Sequence, residues 1–127
     1  MTTRLRCLIV DDSDAFRDAA CTMLERAGID VVGTASSGGE ALDVYRDLHP
    51  DVTLVDVDLG ADSGFDVVRR LHDANTPAPS VILISTHSEQ DFADLIAESP
   101  ALGFLPKFAL SPKAIRDMLG VRATPDT

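Results

Sequence analysis

The sequence predicts a doubly wound α/β domain, a parallel sheet of five strands covered by five helices. Short apolar runs of strand length alternate with stretches of helical periodicity, a pattern that packs as a parallel sheet with right-handed crossovers. The 127 residues suit one compact domain, which buries roughly two-thirds of its unfolded surface. Polar residues gather just after the apolar runs, where open parallel sheets place their ligand sites.

Leu5 to Val10 reads as the first strand and ends in a carboxylate pair, Asp11 and Asp12, rather than a turn. Ser13 caps the first helix, whose apolar positions Phe16, Ala20, Met23, Leu24 and Ala27 recur at three- and four-residue steps until Gly28 stops it. Ile29 to Thr34 is the second strand. Ala41, Leu42, Tyr45 and Leu48 mark a second helix, closed at His49-Pro50 because the residue before proline avoids the helical region. Val52 to Val55 forms the third strand, followed by a loop from Asp56 to Ser63. Phe65, Val68 and Leu71 give the third helix, which ends before Pro77 and Pro79. Val81 to Ile84 is the fourth strand, Phe92, Leu95 and Ile96 carry a weaker helical pattern, and Gly103 to Leu105 is a short fifth strand. Ser111-Pro112 opens the last helix, running through Ala114, Ile115, Met118 and Leu119 to Gly120. Residues 1–120 thus read as one domain and residues 121–127 as a short tail.

Composition excludes several function classes. A net charge of -10, from 21 acidic and 11 basic residues, repels a phosphate backbone and argues against direct nucleic-acid binding. Apolar runs such as Val81 to Ile84 are far too short to span a bilayer. The run Cys7 to Val10 stops at Asp11, so it is not a secretory core, and a cytoplasmic location is the expectation. Cys7 and Cys21 lack the spacing of a metal site and read as buried small hydrophobes.

Five residues stand at the strand ends: Asp11 and Asp12 after the first, Asp56 after the third, Ser85 after the fourth and Lys107 after the fifth. Three carboxylates in one crevice repel by about 1 kcal/mol per pair in water and by several times that near a protein surface, so a cation belongs there. An all-oxygen donor set suits Mg²⁺, with Mn²⁺ able to substitute. Lys107 supplies a compact ammonium suited to a phosphoryl oxygen.

These residues, in this order and spacing, resemble the receiver domains of two-component response regulators over Leu5 to about Leu119. Gly64 at the start of the third helix and Phe104 in Gly103-Phe104-Leu105-Pro106-Lys107 extend the match. The resemblance implies a flavodoxin-like fold of the chemotaxis-regulator kind with strand order 2-1-3-4-5. It implies that Asp56 accepts a phosphoryl group from a sensor histidine kinase, a phosphotransfer protein or a small donor, with Ser85 and Lys107 assisting. Asp11, Asp12, Asp56 and the Asp58 backbone carbonyl would hold the metal, and Asp58 and His87 would tune dephosphorylation and hydrogen-bond each other across the site. Ser85 and Phe104 would form a switch, Phe104 moving from exposed to buried and reshaping the face of helix four, strand five and helix five. Phe92, Asp94, Leu95, Glu98, Lys113 and Arg116 would offer that face to a downstream protein or a second copy. Such a chain is a self-modifying switch rather than a turnover enzyme.

Two positions depart from the family pattern. Gly60 replaces a common proline and should loosen the loop after Asp56. Phe108 follows Lys107 where proline is usual, and a cis bond before a non-proline residue costs about 2.5 to 4 kcal/mol, so Lys107-Phe108 is predicted trans. Asp56-Val57-Asp58-Leu59-Gly60 also looks like the nucleophile motif of haloacid-dehalogenase-type phosphatases. There, however, it ends the first strand of a larger domain. A pseudo-receiver that acts only as a protein-interaction module is the alternative, and it would normally lack part of the acidic cluster.

Overall fold

The computed structural model describes residues 4–120, so the tail read at residues 121–127 lies outside the described residues. Its parallel sheet runs β1 (Arg6–Val10), β2 (Asp30–Ala35), β3 (Val52–Asp56), β4 (Val81–Ser85) and β5 (Gly103–Pro106) in chain order. In space the order is β2-β1-β3-β4-β5, as expected. The helices are α1 (Asp14–Arg26), α2 (Gly38–Leu48), α3 (Gly64–Ala74), α4 (Ala93–Glu98) and α5 (Pro112–Leu119).

Strand alternation sorts the core into two layers. Leu8, Val10, Val55 and Leu83 pack with Ala41, Tyr45, Val67, Val68 and Leu71 of α2 and α3. Their neighbours along the strands, Cys7, Ile9, Leu54, Ile82 and Ile84, pack with Ala20 and Leu24 of α1 and Ile115 of α5. Because successive side chains point to opposite faces, strands this apolar must be covered on both sides. Cys7 is fully buried, which pushes its thiol up to about 12 and leaves it an inert hydrophobe as expected.

Serines set the helix starts. The Oγ atoms of Ser13, Ser37 and Ser111 accept from the N–H groups of Phe16, Glu40 and Ala114, satisfying donors the first turn leaves free. Four boundaries differ from expectation at the functional end. β2, β3, β4 and β5 each run one residue further, to Ala35, Asp56, Ser85 and Pro106, because Ala35 still pairs with Val10, Asp56 with Ile84, and Ser85 with Pro106. The chemistry-bearing side chains therefore sit on the last rung of a rigid sheet.

The loop after Asp56 is also more ordered than glycine content suggests. Asp58–Leu59 and Asp62–Ser63 pair as a two-residue antiparallel ribbon, with Gly60 at φ +71° in the turn between them. Asp62 Oδ2 accepts from the Gly38 N–H at 3.0 Å, tying this loop to the start of α2. The fourth helical segment is a 3₁₀ turn at Glu89–Phe92 followed by the six residues of α4, so Phe92 falls in the 3₁₀ turn while Leu95 and Ile96 lie in α4. Among the described residues no helix is long and apolar enough to cross a membrane. Thr76-Pro77 is cis, and Lys107-Phe108 is trans as expected.

Candidate functional site

The carboxyl ends of β1, β3, β4 and β5 bring the predicted residues together. Carboxylate oxygens of Asp11, Asp12 and Asp56 all lie within 4.8 Å of one another, Asp11 and Asp56 buried and Asp12 exposed. Lys107 enters from the end of β5, its ammonium 2.6 Å from Asp11 Oδ2 and 3.4 Å from Asp56 Oδ2. Asp11 is fully buried, so this contact supplies the partner that a buried carboxylate requires. Its other oxygen accepts from the Ser13 N–H at 2.8 Å, and the Arg17 guanidinium donates to the Asp11 backbone carbonyl and to Asp14. The turn from β1 into α1 is thereby held from two sides.

Asp56 is 7% exposed. Burial and then the charge of Asp11 raise its pKa from 3.8 to about 6, against the opposing pull of the Asp58 N–H and Lys107. One lysine thus under-compensates the cluster. Burial alone would lower Lys107, but its close ion pair with Asp11 and the charge of Asp56 carry it above the ordinary lysine value. An all-oxygen set of three clustered carboxylates in which Asp56 resists ionisation fits a hard divalent cation.

Gly64 explains how the loop can lie so close. It packs against the β3 terminus so tightly that a Cβ would stand 2.1 Å from the Asp56 carbonyl oxygen. A side chain at this position would push Asp56 out of place.

Ser85 is buried, and its Oγ accepts from the His87 N–H at 3.0 Å. Phe104 is 6% exposed, its ring 6.2 Å from that of Phe92, so it occupies the inner of the two positions the resemblance implies. Asp58 and His87 both border the mouth but do not meet as expected. Asp58 Oδ1 accepts from the Gly60 N–H at 3.3 Å, while the His87 ring sits edge-on to Phe92 at 6.0 Å. The short Asx-type contact and the aromatic neighbour each satisfy one side chain locally. Arg116 does not join the face of α4 either, since its guanidinium reaches back to the Ala27 carbonyl at the end of α1, at 3.2 Å.

Two contributors escaped the sequence reading. Arg17 gave no signal beyond an ordinary charged helix position. Phe16 read as one apolar position of α1, yet its ring faces the Lys107 ammonium at 4.2 Å from the centroid.

Comparison with known proteins agrees with this geometry. Residues 7–119 match the response regulator receiver domain. The chain is 36% identical over 125 residues to a protein-glutamate methylesterase/protein-glutamine glutaminase of Halalkalibacterium halodurans, covering 94% of this chain and 36% of that protein. It is 35% identical to response regulator GacA of Pseudomonas viridiflava over 83% of this chain and 49% of that one. The chain therefore spans half the length of these curated relatives or less. Among solved structures it resembles the signal receiver domain of the putative regulator NarL from Mycobacterium tuberculosis, with TM-score 0.84, 29% identity and coverage of 95% and 100%. Chemotaxis protein CheY4 of Vibrio cholerae superposes with TM-score 0.79 at 25% identity, covering 93% of this chain and 98% of that one. The chain belongs to the response regulator receiver domain family.

Proposed function

We propose that this receiver domain is a phosphoacceptor switch in which Asp56 takes a phosphoryl group from a sensor histidine kinase, a phosphotransfer protein or a small donor such as acetyl phosphate. One observation carries the reading: a lysine ammonium stands between Asp11 and Asp56, beside a third carboxylate, at the carboxyl end of the sheet. An Asp56 oxygen attacks phosphorus, the new O–P bond forms as the donor's P–N or P–O bond breaks, and the leaving group departs with the bond electrons. Lys107 neutralises a phosphoryl oxygen during transfer and the Ser85 hydroxyl donates a hydrogen bond to another.

Asp11, Asp12, Asp56 and the Asp58 backbone carbonyl would hold Mg²⁺, or Mn²⁺ in its place. Bound there, the ion would neutralise the cluster and the developing phosphoryl charge. With Asp56 modified, Ser85 is drawn toward the new acceptor oxygens and the packing around Phe104 changes, so that the face of α4, β5 and α5 presents a different surface. A downstream protein or a second copy of the chain would read that surface. Asp58 and His87 would tune the return to the unmodified state.

The domain acts as a cytoplasmic signalling switch without turnover of an external substrate, and its charge of -10 gives nucleic acid no direct purchase. Intact-mass measurement after treatment with Mg²⁺ and acetyl phosphate tests the proposal. The expected result is one labile added phosphoryl group, absent in Asp56→Asn and in chelator. An unmodified wild-type chain would favour the phosphorylation-independent interaction module instead.

A further inference from the structure

Lysine's four-carbon stem is flexible, so the two carboxylates alone do not fix where the Lys107 ammonium rests. Asp11, the nearer at 2.6 Å, pulls it deep into the sheet end, whereas assistance at Asp56 requires it at the phosphoryl position. A third attraction comes from the other side. The ammonium lies 4.2 Å over the Phe16 ring centroid, inside the distance of about 6 Å at which the negative face of an aromatic ring attracts a cation.

The ring is itself held. Ser13 Oγ caps the Phe16 N–H at 3.2 Å, fixing the first turn of α1. Phe16 and Lys107 share the wall of a groove of about 130 Å³ with Ala19, Ala20, Met23 and Leu110. A neutral ring suits this place: a carboxylate would add a fourth negative charge to the cluster, and an aliphatic side chain would exert no comparable pull.

We infer that Phe16 is a positioning residue, its ring face holding the Lys107 ammonium between Asp11 and Asp56 where it can serve the phosphoryl group. The inference rests on the phosphoacceptor reading for its consequence but not for the geometry itself. Phe16→Leu keeps apolar bulk and removes the ring face, and Phe16→Tyr retains the face.

The test pairs two readouts on the full chain: the rate of Asp56 phosphorylation by acetyl phosphate with Mg²⁺, and the proton shifts of the Lys107 ε-methylene. Phe16→Leu should slow modification about three- to tenfold while Phe16→Tyr stays within about twofold of wild type. The ε-methylene protons, shifted upfield by the ring in wild type and Phe16→Tyr, should return to ordinary lysine values in Phe16→Leu. Equal rates in Phe16→Leu and wild type, or equal slowing in both variants, would overturn the assignment. If wild type itself takes no phosphoryl group, the phosphoacceptor reading fails and the shifts still decide the geometry: ring-shifted protons uphold it and unshifted ones overturn it. Should Phe16→Leu fail to melt cooperatively, Phe16→Met serves the same comparison.

Discussion

Replacing Asp56 by asparagine should stabilise the metal-free protein, although it removes the proposed phosphoacceptor. The pKa of Asp56 stands at about 6 instead of 3.8, so between these values the folded chain holds a proton that the unfolded chain releases. Stability therefore falls as pH rises through that window and stays reduced above it. Roughly two pH units at 1.36 kcal/mol each give a cost of about 3 kcal/mol for the ionised side chain near neutrality. Asparagine carries no such charge. For a domain of this size the gain corresponds to about 5 to 12 °C in melting temperature. Circular dichroism melts in chelator at about pH 7.5 should show it, and at about pH 4, where wild-type Asp56 is itself neutral in the folded state, the gap should shrink to under about 1 kcal/mol. Equal melting temperatures near neutrality, or a gain of the same size at both pH values, would refute the reasoning.

Lys107→Ala should have the opposite effect, since it leaves the fully buried Asp11 without its ammonium, and urea unfolding in chelator should show a loss of about 3 kcal/mol. Mg²⁺ binding, followed by calorimetry, should weaken by about tenfold per pH unit below about 6 as the ion displaces a proton from Asp56. Gly64→Ala and Gly103→Ala should differ sharply in urea unfolding. The first drives a Cβ to 2.1 Å from the Asp56 backbone oxygen and should cost over about 3 kcal/mol. The second meets only the Met118 thioether at 2.7 Å, whose flexible side chain can yield at a cost of about 1 kcal/mol.

Much of this architecture was legible because strand order and strand-end chemistry are both written in linear spacing. Apolar runs reveal which segments are buried on both faces, and the residue after each run is carried to the same edge of the sheet. Asp11, Asp12, Asp56, Ser85 and Lys107 could thus be grouped before any coordinate was known. Side-chain direction was not legible. Asp58 and His87 border the same mouth, but the Gly60 N–H and the Phe92 ring claim them separately. Periodicity placed Phe16 on the inner face of α1 and said nothing of the cation 91 residues away at Lys107, because that contact depends on how α1 and the end of β5 pack. Leu95 of the short α4 is a further case: its apolar spacing gave no sign that the side chain stands 51% exposed.

The most direct measurement locates the modified atom. After reaction with acetyl phosphate and Mg²⁺, borohydride reduction converts an acyl phosphate on aspartate to homoserine, and peptide sequencing by mass spectrometry reads its position. Homoserine is expected at position 56 and aspartate at positions 11, 12 and 58. Homoserine at another of these positions, or at none, would contradict the phosphoacceptor reading.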